Sequence, residues 1–314
     1  MEMPLERVKT SSSSPSVWFT APRRRLRENA IRFILFLCAM ISVVTTISII
    51  FVLVKETSIF FTHVNVSEFL FGVRWAPLLE PRSFGVLPLV SGTFLIVFGS
   101  AVIALPAGLA TAIYLSEYAS ERTRSAVKPV LETLAGIPTV VYGYIALTFI
   151  TPMLSSVIPH LKVFNAASAS IVVGIMILPM IASLCDNAMR AVPDSLRHGG
   201  YALGATHFEV TAKIIVPAAL SGIMASFVLA LSRAIGETMI VTLAAGATPN
   251  LTLSFMESIQ TMTAYIVQVS LGDTPAGGVE YQTIFAVASL LFLITFCMNV
   301  AANRILRKFQ EMYD

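Results

Sequence analysis

Two charged residues, Arg233 and Glu237, lie four positions apart in an otherwise apolar run from residue 220 to 245. A charged side chain near the middle of a bilayer costs about 2.5–3.5 kcal/mol, so each needs a partner or a polar cavity. On a continuous helix this spacing places both side chains on one face, where they could form a structural ion pair. Alternatively, Arg233 could bind an oxyanion through paired hydrogen bonds, while Glu237 orients it and helps the anion to leave.

A second polar segment, HGGYALGATHFEVTAKIIVP at residues 198–217, lies between two apolar runs. Asp194 before it favours a helix start, and Gly204 favours a sharp or left-handed turn. The spacing of Thr206 and Glu209 matches a capping box, which predicts that a second short helix begins there. The segment is therefore predicted as helix, glycine turn and helix.

The tip of this predicted hairpin has two interpretations. It could lie on the lipid surface with its apolar face among the head groups. It could instead dock on a partner protein, since an aromatic side chain such as Phe208 is a suitable anchor for a protein pocket. The candidate contact residues are Gly204, Ala205, Thr206, His207, Phe208 and Glu209.

The composition places the whole chain in the membrane. Of its 314 residues, 56% are hydrophobic and only 12% are charged, and the mean hydropathy is +0.79, whereas soluble domains have about 25% charged residues. A membrane helix needs about 20 apolar residues. We therefore predict an all-α polytopic membrane protein with six spans, at residues 33–54, 87–115, 139–157, 167–184, 220–245 and 283–302. Residues 1–30 are predicted as a disordered basic tail, residues 31–308 as the membrane domain and residues 309–314 as a short tail.

The distribution of Lys and Arg predicts the orientation. Segments on alternate sides of the spans hold sixteen and four of these residues, and Arg233 lies inside span five. The basic side is expected to be cytoplasmic. Both termini and the loop at residues 190–218 are therefore predicted to face the cytoplasm, as expected of a multi-pass protein of the cell (inner) membrane.

An outer segment at residues 254–272 spaces Phe255, Ile259, Met262 and Ile266 on one helical face. This pattern fits an amphipathic surface helix, a re-entrant lid or a segment that covers the core.

The sequence offers little support for an enzyme. None of the six Lys residues follows a Gly, so the chain lacks the GxxxxGK[ST] phosphate-binding loop. The three Cys and four His residues show no metal-ligand spacing. No cofactor, metal or nucleic acid is expected as a partner, and any ATP-driven work must come from another polypeptide. A secondary transporter that uses Arg233 and Glu237 as an ion relay is an alternative.

Several motifs carry a family resemblance. Nine residues separate Gly204 from Ile214-Ile215-Val216-Pro217, which resembles the glycine and I-x-L-P spacing of the EAA loop in ABC importer permeases. RAIGETMIVTLAAG, GIPTVVYGYIAL and LVSGTFLIVFGSAVIALPAGLATAIYLSEYA, together with Trp75-Ala76-Pro77, resemble permease subunits of phosphate-specific ABC importers, of the PstC type. The EAA triplet itself reads His198-Gly199-Gly200 here.

The resemblance implies a fold, partners and site residues. The fold would be the type I permease fold of ABC importers, with a cytoplasmic coupling loop. The expected partners are a second permease subunit of PstA type, an ATPase subunit dimer, an extracytoplasmic phosphate-binding protein and the lipid bilayer. The substrate would be inorganic phosphate, with sulfate or molybdate as alternatives. Arg233 and Glu237 match the RAxGET element that the family links to translocation.

Overall fold

The computed structural model describes residues 22–272, 274, 275 and 277–310. The chain divides into two compact units, residues 1–52 and residues 53–314. In the first unit the described part is helical, and its large apolar side chains from Ile31 to Val52 are between 38% and 67% exposed. Such a helix is suited to contact with lipid.

The described residues form mostly helices, with three π-helical turns and one short hairpin. The helices are α1 (Pro22–His63), α2 (Val66–Phe71), α3 (Leu87–Ile113), α4 (Glu121–Ala135), α5 (Thr139–Ile145), α6 (Thr151–Ser155), α7 (Ala166–Arg190), α8 (Asp194–Ala202), α9 (His207–Val210), α10 (Val216–Ala218), α11 (Leu220–Ile235), α12 (Met239–Ala244), α13 (Met262–Leu271) and α14 (Val279–Gln310). The π-helical turns are Tyr114–Tyr118, Ala146–Ile150 and Thr211–Ile215. Strands β1 (Trp75–Ala76) and β2 (Ser83–Phe84) pair antiparallel, with Trp75 opposite Phe84.

By length and composition the described helices allow between four and six spans. Among the described residues, four helices are long and apolar enough to cross a membrane, and the number rises to six if each of two bent pairs is one span. Glu121–Ala135 and Thr139–Ser155 meet at 89°, and His207–Ala218 and Leu220–Ile235 meet at 67°. The predicted loop before span three therefore contains a helix of its own, α4.

The described helices extend into both predicted tails. Helix α1 begins at Pro22 and α14 continues to Gln310. Residues 1–21 and 311–314 lie outside the described residues.

Helices α3 and α7 pack closely because small residues let their backbones approach. A Cβ added at Gly108 would lie 2.7 Å from Cγ2 of Ile181, and one at Gly174 would lie 3.3 Å from the carbonyl oxygen of Ser100. Residues of both helices belong to the main apolar core, together with residues of α11 and α12. A closely packed core of this kind has low compressibility and transmits strain.

The segment at residues 254–272 is helical only from Met262 onwards, so of the three alternatives an amphipathic helix over its whole length does not form. The preceding residues are irregular and form hydrogen bonds with other segments. The backbone N–H of Ala167 donates to the carbonyl oxygen of Phe255, and the backbone N–H of Ile259 donates to the carbonyl oxygen of Ala245. Ile259 is completely buried in the main core. Long-range backbone hydrogen bonds thus replace the helical ones, and the segment covers the core.

Candidate functional site

The run at residues 220–245 is broken at its centre. Helix α11 ends at Ile235 and α12 begins at Met239. Between them, Oε1 of Glu237 accepts hydrogen bonds from the backbone N–H groups of Met239 and Ile240 at 3.1 and 3.2 Å. These N–H groups belong to the first turn of α12 and have no partners within that helix. The Glu237 carboxylate, which is only 7% exposed as a residue, therefore caps α12.

This break corrects the expected pairing of Arg233 with Glu237. The i and i+4 geometry requires one continuous helix, and here the helix stops between the two residues. Among the ion pairs of the described residues none includes Arg233. The hydroxyl of Thr263 also donates to the backbone carbonyl of Glu237 at 2.7 Å, which helps to hold the broken conformation.

Arg233 instead borders a cavity of about 280 Å³ between α4, α7 and α11. Its Nε donates to Sδ of Met176 at 3.2 Å, and a thioether sulfur is a weak acceptor. This is the one hydrogen bond of the guanidinium within the described part of the chain. The group carries five N–H donors and a permanent charge, so most of its capacity to bind an anion is free.

Glu132 lines the same cavity from the last turn of α4. The remaining lining is mostly apolar, and both Glu132 and Arg233 are exposed. An acidic group near a basic one limits how tightly the site can hold an anion. The sequence suggested Glu237 for this role, whereas Glu132 is the carboxylate that lines the cavity.

A buried ion cluster fixes α4 against α7. The carboxylate of Asp186, only 1% exposed, accepts from Nη2 of Arg124 at 3.0 Å and from Nζ of Lys128 at 3.3 Å. Arg124 is itself 8% exposed as a residue. The cluster positions α4, and with it Glu132. It was missed in the sequence, where the available signals were an Asp near the end of a span and two basic residues four positions apart.

The second candidate segment folds largely as predicted. Residues 194–218, called the 194–218 hairpin below, contain α8, a turn, and the helical segments from α9 to α10. Gly204 adopts a φ of +81°, a left-handed conformation that favours glycine. The capping box is confirmed: Thr206 Oγ1 accepts from the backbone N–H of Glu209 at 3.3 Å, and Oε2 of Glu209 accepts from the backbone N–H of Thr206 at 3.0 Å.

The charge of Glu209 is stabilised by the same contacts. The backbone hydrogen bond from Thr206 and the hydrogen bond from Lys213 lower the pKa of Glu209 to about 2. The carboxylate therefore stays ionised, and the capping box intact, down to a pH well below neutrality.

The tip of the 194–218 hairpin presents apolar side chains outwards. Leu203 is 90% exposed and Phe208 is 71% exposed. The His207 ring lies against the edge of Tyr118, with ring centroids 4.6 Å apart. A Cβ added at Gly204 would meet nothing within 4 Å, so its requirement for glycine comes from the backbone and not from packing. Of the candidate contact residues in this tip, Gly204, Thr206, His207 and Phe208 are exposed, whereas Ala205 and Glu209 are half-buried.

The triplet His198-Gly199-Gly200 has a structural explanation at its third position. A Cβ added at Gly200 would lie 2.7 Å from Cδ1 of Ile214 and 2.9 Å from Cγ2 of Val210. A small residue is needed here so that α8 can pack against the second half of the hairpin. At Gly199, by contrast, an added Cβ would meet nothing within 4 Å.

Known proteins resemble the chain over most of its length. Residues 104–311 match the family described as "Binding-protein-dependent transport system inner membrane component". The chain is 37% identical to the probable ABC transporter permease protein YqgH of Bacillus subtilis, over 87% of this chain and 89% of that protein. It is 30% identical to the phosphate transport system permease protein PstC of Mesorhizobium japonicum, over 77% of this chain and 78% of the relative.

A solved structure shows the same fold. A chain in the crystal structure of a bacterial alginate ABC transporter, in complex with an alginate pentasaccharide-bound periplasmic protein, matches 90% of this chain and 98% of its own length. The TM-score is 0.64 and the sequence identity is 16%. The likeness supports the fold alone.

Proposed function

The chain belongs to the family of binding-protein-dependent transport system inner membrane components, and from this premise we propose that it is a PstC-type subunit that forms part of the path of inorganic phosphate through the membrane. It is a multi-pass membrane protein of the ABC importer type. The substrate is proposed because a relative with 30% identity over 77% of this chain is named as a phosphate permease.

The observation that carries the proposal is the free guanidinium of Arg233. It lies thirteen residues after the start of α11, roughly 20 Å along the helix at 1.5 Å per residue, which is about two thirds of the thickness of a bilayer core of about 30 Å. A permanently charged group with unused donors at this depth can replace part of the hydration shell of a phosphate ion. The nearby Glu132 keeps the site from holding the anion too long.

The 194–218 hairpin is proposed as the site where an ATPase subunit docks. An exposed aromatic side chain at a rigid tip is a suitable anchor for a pocket on another protein, and Phe208 lies within the capping box of Thr206 and Glu209 that fixes the start of α9. The chain contains no phosphate-binding loop of its own. The proposed assembly therefore contains an ATPase dimer, a second permease of PstA type and an extracytoplasmic phosphate-binding protein.

The orientation is proposed from the charge distribution, with both termini and the 194–218 hairpin in the cytoplasm. In cells, single cysteines introduced at residues 250 and 275 should react with an impermeant thiol reagent added outside, and cysteines at residues 10 and 205 should not. Labelling in the opposite pattern would overturn this orientation.

Transport of radiolabelled phosphate by the complex in proteoliposomes tests the function. We expect ATP-dependent uptake that excess unlabelled phosphate abolishes and that sulfate and molybdate leave unchanged. Competition by sulfate or molybdate would indicate a permease for another oxyanion. Uptake without ATP that follows an ion gradient would indicate a secondary transporter.

The variant Arg233→Gln tests the site within the same assay. It keeps a polar side chain but removes charge-assisted hydrogen bonds of about 1.5–3 kcal/mol, which corresponds to a roughly ten- to hundredfold fall in uptake. Assembly with the other subunits should remain near the wild-type level. Arg122→Gln, at an exposed position of α4, serves as the control and should transport normally. Normal uptake by assembled Arg233→Gln complexes would remove Arg233 from the path.

A further inference from the structure

The Arg197 side chain connects the 194–218 hairpin to the end of α7. From α8, its Nη1 donates to the carbonyl oxygen of Val192 at 2.7 Å, and its Nη2 donates to that of Met189 at 2.9 Å. Helix α7 ends at Arg190, and the last carbonyls of a helix have no partners within it. One guanidinium thus satisfies carbonyls at the end of α7 while it belongs to the hairpin.

The same guanidinium also reaches the end of α3. Nη2 of Arg197 lies 3.2 Å from Oε1 of Glu117, and the two side chains are 16% and 5% exposed. Glu117 belongs to the π-helical turn that follows α3. The hydroxyl of Ser116 donates to the same carboxylate oxygen at 2.8 Å and fixes its position. An ion pair this buried is screened less by salt than one at the surface.

The two helix ends that Arg197 joins belong to one packed body. Helices α3 and α7 touch through Gly108 and Ile181, where a Cβ on the glycine would approach to 2.7 Å. Close packing of this kind resists sliding of one helix along the other. A force applied to both ends at once therefore displaces the pair as a whole.

Helix α7 leads from this point to the proposed anion site. Met176, whose sulfur accepts from Nε of Arg233 at 3.2 Å, precedes Met189 by thirteen residues, roughly 20 Å along the helix. A displacement at the hairpin end of α7 therefore reaches the residue that contacts Arg233. The contacts form a continuous series from α8 through α7 to the cavity.

We propose that Arg197 is the positioning residue that transmits movement of the 194–218 hairpin to α3 and α7, and through α7 to the cavity at Arg233. This inference rests on the proposed function, since it needs an ATPase that moves the hairpin. Arg197 does not contact the anion. Its role is to make α8 and the ends of α3 and α7 move together when ATP is bound and hydrolysed.

The test measures phosphate uptake and ATP hydrolysis in the same proteoliposomes, which contain the complete complex, and compares their ratio. In Arg197→Ala all contacts of the guanidinium are lost, whereas the tip residues of the hairpin are unchanged. We expect the assembled complex to hydrolyse ATP while the phosphate transported per ATP falls by roughly two- to thirtyfold. Arg197→Lys keeps the charge opposite Glu117 but cannot donate from a planar fork, so its ratio should lie between those of the wild type and Arg197→Ala.

Two further variants keep the test decisive. Glu117→Gln removes only the ion pair to α3 and should lower the ratio in the same direction even if Arg197→Ala does not assemble. Arg122→Ala removes an exposed Arg of α4 and should leave the ratio unchanged. A purely structural role for Arg197 would reduce the amount of assembled complex without changing its ratio.

The outcomes separate this inference from the proposed function. A wild-type ratio in assembled Arg197→Ala or Glu117→Gln complexes that take up phosphate would overturn the role of Arg197 alone. A wild-type complex without ATP-dependent phosphate uptake would overturn the proposed function, and the role of Arg197 with it.

Discussion

Replacing Glu237 distinguishes a helix cap from an ion pair. The structure shows that Oε1 of Glu237 accepts two backbone hydrogen bonds, at 3.1 and 3.2 Å, at the start of α12. Glu237→Gln retains an oxygen that can accept both bonds, and only the contribution of the charge is lost. Glu237→Ala leaves both N–H groups without this partner, and that of Ile240 is buried.

The expected costs follow from these contacts. Loss of a capping side chain costs about 0.5–2 kcal/mol, and a buried donor left without a partner costs about 1–3 kcal/mol. For Glu237→Ala we therefore expect a loss of stability of about 2–3 kcal/mol. Since a hydrogen bond to a charged group is worth about 1.5–3 kcal/mol and a neutral one about 1 kcal/mol, Glu237→Gln should lose about 1 kcal/mol.

The assay is thermal unfolding of the purified complex in detergent, combined with uptake per assembled complex. Glu237→Gln should assemble and retain most of its uptake, while Glu237→Ala should unfold at a clearly lower temperature. An ion pair with Arg233 predicts a different pattern, because each single neutral variant would leave a buried charge unpaired and cost about 3–5 kcal/mol. If Glu237→Gln is severely unstable and the double variant with Arg233→Gln recovers both stability and uptake, the capping explanation is refuted.

Three further predictions concern the buried cluster and the hairpin. Asp186→Ala leaves the buried charge of Arg124 without its closest partner and should destabilise the protein by about 3–5 kcal/mol. Adding Arg124→Met should recover much of this loss. If thermal unfolding shows no recovery in the double variant, the proposed pairing of Asp186 with Arg124 is contradicted. Gly204→Val strains a φ of +81° and should uncouple ATP hydrolysis from uptake, while Gly199→Ala, where an added Cβ meets nothing, should not; equal uptake in both would refute the need for the turn. Phe208→Ala should weaken co-purification of the ATPase, and undiminished co-purification would favour a tip that lies on lipid.

The sequence by itself determined the features that depend on neighbouring residues. Apolar runs of membrane length predicted the spans because each spanning helix satisfies its own backbone hydrogen bonds. The capping box at Thr206 and Glu209 was predictable since its partners are three residues apart. The left-handed turn at Gly204 followed for the same local reason.

The tertiary structure decided which charges meet. Asp186 and Arg124 are 62 residues apart in the chain, and Glu117 and Arg197 are 80 residues apart. No local pattern connects such pairs. The break after Ile235 occurs without a proline. It depends on the cap from Glu237 and on the hydrogen bond that Thr263 donates from another segment. Helical periodicity assumes that a helix continues, so it paired Arg233 with Glu237. In the structure α11 ends at Ile235 with Gly236 as its C-cap, the local cap from Glu237 starts α12, and the long-range bond from Thr263 holds the break, which leaves Arg233 beside the cavity.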